Sequence, residues 1–156
     1  MTIDVRKAVD SDLATLVAFN QAMCVETEGR RLDASRLESG IAKALGDPAR
    51  GVYSVAQSDG RPVGCLMLTR EWSDWRDGWM WWIQSVFVAP EARGKGVYRA
   101  LHGDVLARAA AAGDVRAVRL YVERENTGAQ AVYDACGMSQ SRYLLYEQGV
   151  GSSSDD

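Results

Sequence analysis

Histidine is almost missing from this sequence. His102 stands alone, and the three cysteines, Cys24, Cys65 and Cys136, are far apart and odd in number. That combination makes neither a zinc pattern nor a disulfide framework, so no metal is expected and the thiols read as small core residues. Long apolar runs are missing too, so no membrane partner is expected. Residues 1–6 lack the apolar stretch of a signal peptide, which makes a cytoplasmic location the expectation. Nor is there a block of positive charge. The 18 Lys and Arg are scattered among 21 Asp and Glu for a net charge of −3, which argues against a nucleic-acid partner.

What is present is a chain of 156 residues, long enough to bury one core, with no internal repeat. We expect a single domain over 1–148, followed by a disordered tail over 149–156 rich in Gly, Ser and Asp. Thr2 to Ala8 alternates as a strand. Asp10-Ser11-Asp12 supplies capping chemistry for a helix that Gly29 ends. Asp33 or Ser35 caps a second helix, with Ser35 and Glu38 in capping-box register. Strands from Gly51 to Gln57 and Pro62 to Trp72 flank a turn at Ser58-Asp59-Gly60-Arg61. Trp79 to Val88 is apolar on both faces and belongs inside a sheet. Pro90 stops its pairing. A helix from Gly94 to Ala112, a strand from Val115 to Val122, a helix from Thr127 to Cys136 ending at Gly137, and a strand from Ser139 to Glu147 complete the order β-α-α-β-β-β-α-β-α-β. This is a mixed α/β chain.

The stretch from Val86 to Tyr98 carries the chemistry. A buried strand ends, a turn holds Gly94 and Gly96, and a helix begins at once. Glycine lets the backbone approach a ligand, and the first helical amides point outward with the positive end of the helix dipole. A pyrophosphate suits that place, with Arg93 and Lys95 as cationic partners. A Walker A loop is excluded because Gly96 follows Lys95. The dinucleotide fingerprint is excluded because Arg99 stands where its third glycine belongs.

Arg93-Gly94-Lys95-Gly96 after a strand ending at Pro90 resembles the acetyl-CoA signature of the GCN5-related N-acetyltransferases (GNAT), Gln/Arg-x-x-Gly-x-Gly/Ala. Tyr98 departs from the small last residue; its ring would tighten the pyrophosphate pocket or point into the core. The element order from Ile3 to Glu147 is similar as well. The resemblance implies a mostly antiparallel mixed sheet of six to seven strands flanked by about four helices. It implies acetyl-CoA as co-substrate, held by Arg93, Gly94, Lys95, Gly96, Val97 and Tyr98. It also implies a pantetheine arm along Phe87, Val88 and Ala89, one of whose amides would hold the oxyanion. The segment from Tyr121 to Met138 resembles the family's second signature, in which an Asn (Asn126) binds the coenzyme and a helix Tyr (Tyr133) protonates the leaving thiolate. Asn126 and Tyr133 lie about two helical turns apart, so they can share a face.

An acceptor amine must lose a proton, since its ordinary pKa is about 10.4. Some family members place a glutamate on the central strand, but Trp81-Trp82-Ile83-Gln84-Ser85-Val86 has no carboxylate. Glu26 and Glu28 are the candidate bases, beside Glu71, Glu123, or a water held by Gln84 or Ser85. All five tryptophans fall between Trp72 and Trp82 among Glu71, Asp74 and Asp77. They suit a cationic acceptor, a stapled hairpin or a homodimer surface. The activity implied is acetyl transfer to a small-molecule or peptide amine by direct attack. A non-catalytic acyl-CoA sensor is the alternative, and a tryptophan-rich scaffold a third.

Overall fold

The computed structural model describes residues 2–151; the expected tail beyond residue 151 lies outside the described residues. The chain divides into two units, Met1–Tyr121 and Val122–Asp156. In the first, strand β1 (Asp4–Lys7) is followed by helices α1 (Leu13–Glu28) and α2 (Ala34–Gly46). Strands β2 (Val52–Ser58), β3 (Arg61–Ser73) and β4 (Gly78–Val88) come next, then helix α3 (Val97–Ala112) and strand β5 (Val115–Arg119). The sheet order is β1-β2-β3-β4-β5, antiparallel except for the parallel pair β4–β5.

Local chemistry explains the connections. Asp59 and Gly60 take φ of 51° and 75°, as a two-residue turn between Ser58 and Arg61 demands. Gly29 closes α1 at φ 69°, its amide donating to the Val25 carbonyl. Asp33, and not Ser35, caps α2: its carboxylate accepts from the Arg36 amide at 2.8 Å. The expected cap of α1 is different in kind. Asp12 sits in a tight turn, accepts from the Val9 amide at 2.7 Å and is gripped twice by Arg6, at 2.8 and 2.9 Å. The Arg6 bonds, the largest effect, hold its carboxyl below the usual range, with burial opposing them.

Both sheet faces are covered, which is why Cys65 and Leu66, neighbours on β3, are each fully buried. On one face α3 lies close to β3. A side chain on Gly64 would meet the Phe87 carbonyl at 2.9 Å and the Val97 methyl at 3.0 Å. On the other face Phe87, paired with Cys65, meets Phe19 of α1 at 5.1 Å between ring centroids. Leu16, Val55, Leu66, Ile83, Val97 and Leu101 join the two layers in one core.

In the second unit, helix α4 (Thr127–Ala135) ends at Gly137, φ 92°, with the Met138 amide reaching back to the Tyr133 carbonyl at 3.1 Å. The expected strand over 139–147 does not form, so the sheet has five strands where six to seven were implied. Tyr143, Leu144, Leu145 and Tyr146 are apolar in succession and well exposed, without the alternation that a half-buried strand needs.

Candidate active site

The strands β4 and β5 part company early. Their parallel ladder runs from Trp79↔Val115 to Trp82↔Arg119 and stops, while β4 continues to Val88. The β5 side of residues 83–88 is therefore an open edge. Within that segment β4 carries one extra residue: Cys65 faces Phe87 but Met67 faces Gln84. The bulge centres on Ser85, whose φ of 53° is unusual for a residue with a side chain. The Tyr53 phenol is buried, and burial, the largest effect, raises its pKa against the opposing influence of Ser85 and Asn20.

Hydrogen bonding sorts the three backbone amides that the resemblance singles out. The Ala89 amide donates to the Val63 carbonyl at 2.8 Å, so it faces β3. Phe87 pairs with Cys65 of β3, whose thiol burial pushes up to about 12, so its amide lies on the β3 side too. Alternation along an extended strand then turns the Val88 amide toward the open edge. Its carbonyl agrees, since it points to the same side and accepts from Arg93 Nε at 3.0 Å.

Past Pro90–Ala92, a single tight turn, the chain reaches Gly94 at φ 73° and Gly96 at φ 84°, and Gly96 caps α3. The helix begins at Val97, later than the expected Gly94, because left-handed torsions cannot continue it. Apart from its chain neighbours, no described residue comes within 4 Å of where a β-carbon would stand on either glycine. The turn is therefore open on its ligand side, and the residues present fit a diphosphate laid against backbone amides.

The cations of this loop are otherwise engaged. Arg93 Nη2 pairs with Glu26 at 2.8 Å, tying the loop to the end of α1, and Lys95 Nζ donates to the Glu91 carbonyl at 2.9 Å. Glu28 accepts from the Cys24 thiol at 3.2 Å and lies 3.6 Å from Arg30. The Tyr98 ring is buried, its hydroxyl 3.0 Å from His102 Nδ1. His102 is buried as well, and burial lowers its pKa.

In the second unit Asn126 caps α4 through its carbonyl oxygen, which accepts from the Ala129 amide at 3.1 Å. Its side-chain NH2 makes no such bond among the described residues. Tyr133 is half-buried, with its pKa raised by burial first and by Cys136 second.

The tryptophans divide. Trp79 meets Trp72 edge-on at 5.0 Å with Arg70 over its ring, and Trp75 is 94% exposed at the hairpin tip. Trp82 is different: its indole N–H donates to Glu71 at 2.8 Å, with Tyr121 and Arg119 beside it. The bulge at Ser85 and the partners of Trp82 had no sequence signal, because both depend on which strands become neighbours.

A glycine turn at a helix start, placed directly after an open strand edge, has the geometry to take an anionic, extended ligand. The particular family follows from comparison. The sequence matches the acetyltransferase (GNAT) family over residues 16–138. A possible acetyltransferase from Clostridium difficile 630 shares 38% identity over 97% of this chain and 100% of its own, with a TM-score of 0.90. An integron cassette protein from the mobile metagenome of Cole Harbour Salt Marsh shares 26% identity over 97% and 93%, TM-score 0.84. A predicted acetyltransferase from Clostridium acetobutylicum, solved with acetyl-CoA, shares the fold at 16% identity over 94% and 96%, TM-score 0.76. Among curated proteins none matches significantly. This chain belongs to the GNAT acetyltransferase family. Among the described residues no group of three or more His, Cys, Asp or Glu gathers as a metal site, and no helix is long and apolar enough to cross a membrane.

Proposed function

We propose that the protein transfers an acetyl group from acetyl-CoA to a primary amine by direct attack. Residues 1–148 would act as one catalytic domain, followed by a tail over 149–156. The observation that carries this reading is the pairing of the open β4 edge with the open glycine turn that follows it. The amides of Gly94 to Tyr98 receive the diphosphate. The Val88 amide donates to the thioester carbonyl and then to the oxyanion of the tetrahedral adduct. Asn126 contributes its free NH2 to the coenzyme.

The amine nitrogen forms the new C–N bond and the C–S bond breaks. Tyr133 gives its proton to the departing thiolate. A thiol pKa of about 8.5 makes that a moderate contribution. Glu26 and Glu28 are the carboxylates assigned to take the amine proton by way of water. Both are half-exposed, and Glu26 is fastened to the coenzyme loop through Arg93. Acetyl-CoA is an intracellular metabolite, which agrees with a cytoplasmic location. Exposed Trp72 and Trp75 support a homodimer as the assembled form.

The deciding experiment is calorimetry with acetyl-CoA, followed by thiol release across a panel of amines. Binding with amine-stimulated release is expected. Binding without release for any amine indicates an acyl-CoA sensor, and absence of binding overturns the reading.

A further inference from the structure

Arg119 differs from the other half-buried arginines of the first unit. Arg6 and Arg108 each donate short side-chain hydrogen bonds, between 2.8 and 3.1 Å. The Arg119 guanidinium, only 32% exposed, donates none among the described residues; its ion-pair partner Glu71 lies at 3.7 Å. It lies 5.9 Å from the centre of the Trp82 ring. A guanidinium kept over an indole with its N–H fork unused is a prepared receptor for a carboxylate.

Its place matters as much as its state. Arg119 is the last residue of β5 and the partner of Trp82 at the point where the ladder stops, so it stands at the head of the open edge. Glu71 fixes both neighbours, accepting the Trp82 indole N–H at 2.8 Å and facing Arg119. Tyr121, 63% exposed, meets Trp82 at 6.1 Å and adds a second aromatic wall. Gln84, one turn of the pleat further along β4, is held by Thr69 at 2.6 Å.

We propose that Arg119, on the wall formed by Trp82 and Tyr121, binds a carboxylate of the acceptor, so that the preferred substrates are amines that also carry a carboxylate, as amino acids do. Glu71 is a positioning residue, aiming the guanidinium. The proposal rests on the amine acetyltransferase reading above.

The test compares matched acceptors, each amino acid against its decarboxylated amine and its amide, by thiol release. Losing a charge-assisted, bidentate contact costs roughly tenfold to a hundredfold, so the carboxylated partner should lead by that factor in kcat/KM. Arg119→Met should remove the lead by raising KM with kcat nearly kept. Arg119→Lys should restore it only in part, and Glu71→Gln should shift KM in the same sense. Acetyl-CoA affinity, read by calorimetry, should stay unchanged in all three. Equal rates for carboxylated and decarboxylated amines would overturn the proposal. So would weakened acetyl-CoA binding in Arg119→Met, or coenzyme binding with no turnover of any carboxylated amine. Failure of the wild type to bind acetyl-CoA would instead overturn the underlying reading.

Discussion

Trp82 and Arg119 face each other across the last rung of the β4–β5 ladder, and from that rung onward β4 has no strand paired on its β5 side among the described residues. The six residues from Ile83 to Val88 keep their antiparallel partner β3 but leave the other edge to a ligand.

Gly94 and Gly96 adopt left-handed torsions with open space around them. Replacing either with valine adds strain of about 1–2 kcal/mol and puts a side chain where the diphosphate must lie. We expect a small drop in Tm and at least tenfold weaker acetyl-CoA binding by calorimetry, a ratio equivalent to about 1.4 kcal/mol. Unchanged binding would contradict the assigned cradle.

Gly64→Ala introduces a methyl group against a backbone carbonyl and the Val97 side chain. Overpacking of this kind costs about 1–3 kcal/mol. Chemical denaturation should show that loss. Because α3 is pushed off β3, acetyl-CoA affinity should fall as well, even though Gly64 touches no ligand.

Tyr133→Phe removes the proton donor but not the ring. A fall in kcat of about tenfold to a hundredfold is expected, the low end of general acid effects, with coenzyme affinity kept. Burial raises the phenol above its ordinary 10.0, so it stays protonated through neutral pH, and the wild-type rate should show no phenol-dependent decline there.

Glu26→Gln and Glu28→Gln test the proton acceptors. Each ion pair is half-exposed, so the stability change should stay below about 1 kcal/mol. The double variant should lose about a hundredfold in kcat/KM at pH 7. An unchanged kcat/KM in the double variant would move the proton to water alone.

His102 supplies a pH signature of the fold. Burial lowers its pKa below the ordinary 6.5, so the folded protein favours the neutral ring. Above 6.5 this contribution is complete. As pH falls below 6.5 the unfolded chain takes up its proton first, and stability declines until the folded value is passed. His102→Gln should reduce the difference in denaturation midpoint between pH 7.5 and pH 5.5; an identical difference would place the titration elsewhere.

The sequence was most readable where a backbone conformation needs a particular residue. The Asp59-Gly60 turn, the Gly29 and Gly137 helix ends and the glycine loop all sit where they were expected, because positive φ leaves few choices. Residue chemistry without geometry was less readable. Tyr98 and His102 look polar in sequence, yet they bury together by satisfying one another. Arg93 and Lys95 look like free cations next to a phosphate loop, but one is shared with Glu26 and Val88 and the other with Glu91. The bulge at Ser85 was invisible because a register shift belongs to a pair of strands, not to either one. The strand expected over 139–147 failed where apolar residues run in succession.

The bare α-carbon of Gly64 has a consequence for selection. With Val97 and Leu101 resting directly on β3, the start of the helix and the Val88 edge are clamped to one pair of strands at one separation. Under the proposed reading the molecule would work as a caliper, measuring an acyl donor by the length between its diphosphate and its thioester before any side chain reads the rest.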